Sequence, residues 1–188
     1  MSMAAAPEEA SLAQQVEVLP RRYGESHFYN LSHGVPDISP FGFILDRFRE
    51  KAAGRIMPGW RDFRIQDLVG WHADMILVEV QPDQKDAYCR IVGDRVGQHF
   101  AQIVRQNRKL RDSDSPMVGK LLQHFDRLLS TPAIAHFNGR IDYEGKDHVS
   151  LEMLDLPLAD KAGTPRYILS FGRALQTNVQ LESAPYEI

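Results

Sequence analysis

The last third of the chain alternates apolar and polar residues with a period of two, the pattern of β-strands that have one covered face. The apolar positions are Ala133, Ala135, Phe137, Ile141 and Tyr143 in the first segment, Val149, Leu151 and Met153 in the second, and Tyr167, Leu169 and Phe171 in the third. Residues that favour tight reversals separate these segments, at 144–147 and 160–165. The pattern predicts antiparallel strands at 132–143, 147–157 and 165–175.

Two more strands and a helix are predicted upstream. The short apolar run at 75–80 is followed by Pro82 and Asp83, which favours a strand at 74–80 with a turn and a hairpin partner at 86–93. Pro116 opens a helix at 116–130 that has one apolar face. Because the strands do not alternate singly with helices, a doubly wound parallel sheet is disfavoured. We therefore expect an α+β fold, a five-stranded antiparallel sheet with helices on one face, plus an N-terminal helical extension.

The first 38 residues are expected to form an N-terminal arm. Leu12, Val16 and Leu19 have helical spacing, and Pro20 ends that segment, which predicts a short helix followed by irregular chain. The expected division is an arm at 1–38, an amphipathic helix at 39–54, a domain at 55–175 and a C-terminal tail at 176–188.

The helix at 39–54 has the clearest start and stop signals. Ser39 can cap its first amides, Pro40 suits the first helical position, and Gly54 can end it in a left-handed conformation. Its apolar stripe consists of Phe41, Ile44, Leu45 and Phe48. This stripe can pack on its own domain or on the same helix of a second chain. Since aromatic residues are common in interface cores, we expect a homodimer interface here.

Composition limits the classes of partner. The chain has 188 residues, 43% of them hydrophobic, which suits one domain with extensions. The net charge of −3 provides no overall positive field, so nucleic acid and anionic membranes are not expected partners. The single cysteine, Cys89, excludes an intrachain disulfide, and no apolar run approaches the ~20 residues of a membrane span. We expect a cytoplasmic protein.

The order of elements and several phrases resemble the PAS superfamily, particularly the short stand-alone PAS-domain proteins of alphaproteobacteria. The phrases are ILVEVQPDQKDAYCRIVGDRVGQHF at 76–100, the helix at 117–129, and YEGKDHVSLEMLDLPLADKAGTPRYILSFGRAL at 143–175. The resemblance covers about 55–175 and implies sensing or partner binding, often with dimerisation through a helix before the first strand. It does not identify a ligand.

The leading hypothesis is a regulatory module that binds a protein signalling partner and is not an enzyme. A competing hypothesis is a small-molecule sensor whose apolar pocket lies between the sheet and the helix at 116–130. The proposed lining is Leu121, Phe125, Phe137, Leu151, Leu169 and Phe171. A small α+β enzyme would need convergent acid and base groups in that pocket, and the apolar lining does not favour it.

Candidate cofactor residues are few, and the sequence identifies no cofactor. Haem-binding PAS domains use a histidine on the corresponding long helix, which makes His124 a candidate iron ligand. His99, in the phrase GQHFAQ, is a weaker alternative as an axial ligand. The alternative for His124 is an amphipathic residue at the helix edge. Cys89 lacks the asparagine-cysteine-arginine motif of flavin photosensors, so burial is its expected role.

A basic cluster could bind a carboxylate, a phosphate or an acidic partner. It consists of Arg105, Arg108, Lys109 and Arg111. Because Asp112 and Asp114 follow at once, hydrated surface charge is the favoured interpretation.

Overall fold

The computed structural model describes residues 16–21, 24–140 and 149–175. Within these ranges the chain forms one sheet of seven strands, in the order β1-β2-β5-β6-β7-β3-β4, and all neighbours are antiparallel. The strands are β1 (Val16–Arg21), β2 (Gly24–Asn30), β3 (Met75–Gln81), β4 (Asp86–Val92), β5 (Ala133–Arg140), β6 (Ser150–Ala159) and β7 (Pro165–Ala174). The α-helices are α1 (Gly42–Ala52), α2 (Asp94–Phe100) and α3 (Met117–Ser130).

The predicted strands and the predicted long helix are confirmed as β3 to β7 and α3. The strand β7 lies between β6 and β3, with Leu169 opposite Leu77 in β3 and opposite Leu156 in β6. The predicted reversal before β7 is also present. Asp160 accepts a backbone hydrogen bond from Gly163 at 3.1 Å, and Gly163 has the positive φ of 83° that favours glycine. The turn predicted at 144–147 lies outside the described residues.

The prediction of a helix that includes Val16 and Leu19 is wrong, because 16–21 forms β1. The strand β1 pairs with β2, and β2 pairs with β5, so the N-terminal arm adds two strands to the sheet. Phe28 in β2 lies opposite Ala135 and is buried in the core next to it. Burial of this aromatic ring stabilises an arrangement that local spacing does not reveal. The predicted position of Leu12 lies outside the described residues.

The prediction that helices cover only one face of the sheet is also wrong, because both faces of the sheet are covered. Val96 of α2 and Phe125 and Leu128 of α3 belong to the core on one face. On the other face, α1 and the short turns between α1 and β3 form a second core. The strand β3 is buried at every position from Met75 to Val80, which is typical of a strand with two covered faces.

The helix α1 is shorter than the predicted 39–54. Phe41 occupies the N-cap, so Ser39 and Pro40 precede the helix instead of starting it. Its end is as predicted, since Ala53 and Gly54 have positive φ angles of 48° and 84°. Among the described residues no helix is both long and apolar enough to cross a bilayer.

Candidate functional site

The apolar stripe of α1 lies inside the chain's own core. Phe41, Ile44, Leu45 and Phe48 are all 0% exposed and pack in the second core, with Leu154 and Phe171 of the sheet. These side chains are therefore core residues of their own chain. This is the intramolecular alternative, and it leaves the stripe unavailable for the predicted dimer interface. Exposed apolar side chains occur elsewhere: Phe43 on the outer side of α1 is 47% exposed, and Ile56 and Val69 are each 61% exposed.

The proposed lining of the ligand pocket is divided between the two faces of the sheet. Phe125 and Leu151 are buried together on the face of α3, and Leu121 is partly buried against them. Leu169 and Phe171 are buried in the core of α1 on the other face. Phe137 is partly exposed. The residues predicted for one pocket are thus not brought together.

Small residues on one side of β7 determine which of its two faces lies under α2. On the face of α2 and α3, β7 presents Ile168, Ser170 and Gly172, of which Ile168 belongs to that core. A Cβ atom at Gly172 would lie 2.6 Å from Cγ2 of Val96 in α2. The strand therefore needs small residues under α2, and its larger apolar side chains pack under α1.

His124 contacts the sheet instead of projecting from the edge of α3. Its Nε2 lies 2.8 Å from Oδ2 of Asp155 in β6, and the two side chains are only 14% and 13% exposed. The His124 ring is also 5.7 Å from the ring of Phe28 and 5.9 Å from that of Phe125, measured between centroids. This environment joins α3 to β6 and commits the Nε2 atom that an iron ligand would use.

A second histidine–carboxylate pair lies on the opposite face. Nε2 of His136 in β5 is 2.9 Å from Oε1 of Glu152 in β6, with side-chain exposures of 12% and 10%. The ring of His136 makes an edge contact with Phe41, at 6.0 Å between centroids. This contact joins the neighbouring strands β5 and β6 on the face of α1.

Comparison with protein-family models, curated proteins and solved structures found no match to this chain. Within the described residues there is also no group of three or more histidine, cysteine or acidic side chains that could hold a metal ion.

The predicted basic cluster lines an open depression of about 810 Å³, which we call the basic cleft and which extends from Gln102 to Pro116. Arg105, Arg108 and Lys109 line it, together with Asp112 and Asp114. Lys109 Nζ donates to Gln84 Oε1 at 2.6 Å, and Arg105 Nε donates to the Ala101 carbonyl at 2.9 Å. Arg111 is not part of the lining, because its Nε donates to the Lys85 carbonyl at 2.9 Å.

The same basic segment covers the outer edge of β4. The Cys89 amide donates to the Arg108 carbonyl at 2.9 Å, and the Asn107 amide donates to the Cys89 carbonyl at 2.8 Å. The Cys89 side chain is fully buried, as predicted. Burial raises the pKa of its thiol to about 11, so the thiol is neutral near pH 7 and lacks the thiolate needed for nucleophilic chemistry.

A second depression, of about 510 Å³, lies on the same side of the sheet as α1, and we call it the hairpin cleft. Its walls are the turn at Trp60–Asp62 and the 160–162 part of the loop between β6 and β7, and Glu79 near the end of β3 also lines it. Glu79 is held by two hydrogen bonds from Arg90, one of them 2.7 Å from Nε. Sequence reasoning did not identify this cleft, because its walls are about 100 residues apart in the chain.

The buried carboxylates were the other features that sequence reasoning missed. Glu152 and Asp155 interrupt the apolar run of β6. A carboxylate in a strand covered on both faces requires a hydrogen-bonding partner, and that requirement was the available signal.

Proposed function

We propose that this chain is a regulatory binding module of the PAS type, which acts through contacts with other proteins. The observation that carries the proposal is the pairing of β7 with β3, since it brings the last strand of the described residues beside the first strand of the predicted domain. Two strands, a helical segment and three strands then share one antiparallel sheet, with α2 and α3 on one face. This arrangement supports the resemblance in sequence over 55–175.

The proposed partners are a second copy of the chain and a signalling protein. Because the stripe of α1 is buried, these contacts would use other surfaces. Phe43, Ile56 and Val69 are exposed apolar side chains in the segment from α1 to the start of β3. Exposed apolar side chains of this kind favour contacts with protein.

A small apolar ligand would modulate the module from the face of α3. Leu121, Leu122 and Leu129 are only partly buried against that core, so this helix has the less complete packing that a ligand could improve. The haem alternative depends on His124. It is less well supported, because an iron ligand would have to exchange the Asp155 contact for the metal.

The proposal is tested by photo-cross-linking in cells together with native mass spectrometry of the purified protein. A benzophenone amino acid is placed at Ile56, Val69 or Phe43, and at the exposed polar positions Lys120 and Gln123 of α3 as matched controls. We expect a discrete protein adduct from at least one apolar position and none from the controls, and a dimer or a retained ligand in the mass spectrum. A monomer without ligand that gives no position-specific adduct would contradict the proposal.

A further inference from the structure

The hairpin cleft has the size and the rigid walls of a binding site. Its volume of about 510 Å³ lies within the range of small-molecule sites, roughly 300–1,000 Å³. The Ala159 amide donates to the Pro58 carbonyl at 2.9 Å, and Gly59 pairs with Ala159 as an isolated parallel bridge. These backbone contacts hold the turn at Trp60–Asp62 against the end of β6, so the two walls are fixed relative to each other.

Two of the three carboxylates that line the cleft are satisfied by their own surroundings. Oδ2 of Asp62 accepts from the Gly59 amide at 2.7 Å and from Arg55 at 2.6 Å, and these bonds hold the pKa of Asp62 below its ordinary value. Oδ1 of Asp160 accepts from two amides of its own loop, at 2.8 and 3.0 Å. Neither group needs a cationic ligand.

Glu79 is the third carboxylate, and it is paired with two arginines. Besides its bonds from Arg90, it has a longer contact of 3.4 Å with Arg166, and its side chain is 11% exposed. Arg166 lines the cleft and retains donors that this long contact does not use. Each of the three carboxylates of the cleft therefore already has hydrogen-bond donors within the described chain.

Two of the basic side chains that line the cleft have no partner in the described chain. Arg61 and Lys161 are exposed, lie on opposite walls, and form no hydrogen bond or ion pair within the part of the chain that the structure describes. Two aromatic residues, Trp60 and Tyr167, line the same cleft and are partly buried against the core of α1. Free cations beside aromatic rings favour an anion that carries an apolar body.

We propose that the hairpin cleft binds a small organic oxyanion, a carboxylate or a phosphate ester, with Arg61 and Lys161 pairing its charged group and Trp60 and Tyr167 contacting its body. The basic cleft is a weaker candidate, because none of its lining residues is aromatic and its Asp114 has neither a hydrogen bond nor an ion pair within the described chain. The proposal is independent of the PAS assignment, since the cleft lies across the sheet from α3.

The test is to titrate the full chain with three probes of similar shape and to monitor binding by ¹⁵N amide spectra. Benzoate and phenyl phosphate represent the two oxyanions, and benzyl alcohol is the neutral control. We expect one or both anions to shift the Arg61 and Lys161 amides saturably, with a dissociation constant of roughly millimolar, and benzyl alcohol to have no saturable effect. The anion that binds more tightly identifies the class of ligand.

Variants make the test specific to the cleft. Arg61→Gln or Lys161→Gln should weaken binding about tenfold, because each removes a charge-assisted hydrogen bond. Arg108→Gln is the matched control, since it makes the same charge change at an exposed arginine of the basic cleft and should bind as wild type. The proposal is overturned if neither anion binds saturably, if the alcohol binds equally well, or if Arg61→Gln and Arg108→Gln have the same effect.

Discussion

His124 in α3 and Asp155 in β6 are joined across the interface between helix and sheet, with 2.8 Å between Nε2 and Oδ2. The pair is enclosed by the Phe28 and Phe125 rings, and both of its side chains are mostly buried. In such an environment a lost partner leaves a desolvated carboxylate.

The first prediction concerns this pair. We expect His124→Ala to lower the free energy of unfolding by about 1–3 kcal/mol, since Asp155 then loses its partner. Urea unfolding of the two single variants and the double variant with Asp155→Ala should give a coupling energy of about 0.5–3 kcal/mol. His33→Ala is the control, because His33 is exposed and should change stability by less than about 0.5 kcal/mol. Additive single effects would show that the two residues do not stabilise each other.

The second prediction concerns the stripe of α1. Replacing Ile44 and Phe48 together by glutamate should unfold the chain, because both side chains are 0% exposed and the new charges would be buried without partners. Circular dichroism with light scattering should report loss of structure. Phe43→Glu, on the exposed side of the same helix, should stay folded. A double variant that stays folded but is monomeric, beside a dimeric wild type, would instead support the prediction of a dimer interface at α1.

The third prediction compares two glycines. A Cβ atom at Gly93 would lie 2.4 Å from the His72 carbonyl oxygen and 2.6 Å from the Ala73 carbonyl carbon. Backbone atoms cannot move aside cheaply, so Gly93→Ala should cost about 1–3 kcal/mol. At Gly119 in α3 a Cβ atom has open space, and alanine should stabilise the helix by about 0.5–1 kcal/mol. Thermal melts in which both variants shift the melting temperature in the same direction would contradict this packing at Gly93.

The fourth prediction is a pH dependence caused by Cys89. Its pKa is raised from 9.0 to about 11 by burial, so the folded chain holds a proton that the unfolded chain releases. The stabilising contribution is complete below pH 9 and is lost as the pH rises from 9 to 11, by about 2–3 kcal/mol. Cys89→Ala lacks this loss. The difference in the free energy of unfolding between wild type and variant, measured by urea unfolding, should therefore shrink across that range. Parallel curves would place the thiol outside the core.

Local patterns predicted the elements better than their faces. The period of two at 165–175 identified β7, yet the same alternation could not show that Leu169 and Phe171 pack under α1. Alternation distinguishes the two sides of a strand, but a sheet with both faces covered has no solvent side to label them. Only the space required by Val96 next to Gly172 reveals which side lies beneath α2.

The features that local patterns did not predict depend on contacts between residues far apart in the chain. The strands β1 and β2 form because β5 offers an unpaired edge about 100 residues later in the chain, which local spacing around Val16 cannot report. The stripe of α1 was identified correctly as apolar, but an apolar stripe has the same pattern whether it contacts the same chain or another. The hairpin cleft is likewise lined by Arg61 and Lys161 from segments about 100 residues apart in the chain.

Because β6 is covered on both faces, its apolar side chains alone do not determine its register with β5. When both faces are apolar, sliding the strand by one residue exchanges one set of aliphatic side chains for another, at little cost in hydrophobic energy. Glu152 and Asp155 remove that degeneracy. They are three residues apart, so they point to opposite faces, and each meets its histidine only when Asn138 lies opposite Glu152 and Ala135 lies opposite Asp155. A slip in either direction leaves two carboxylates in hydrocarbon, so these two histidine–carboxylate contacts favour a single register for the central strand.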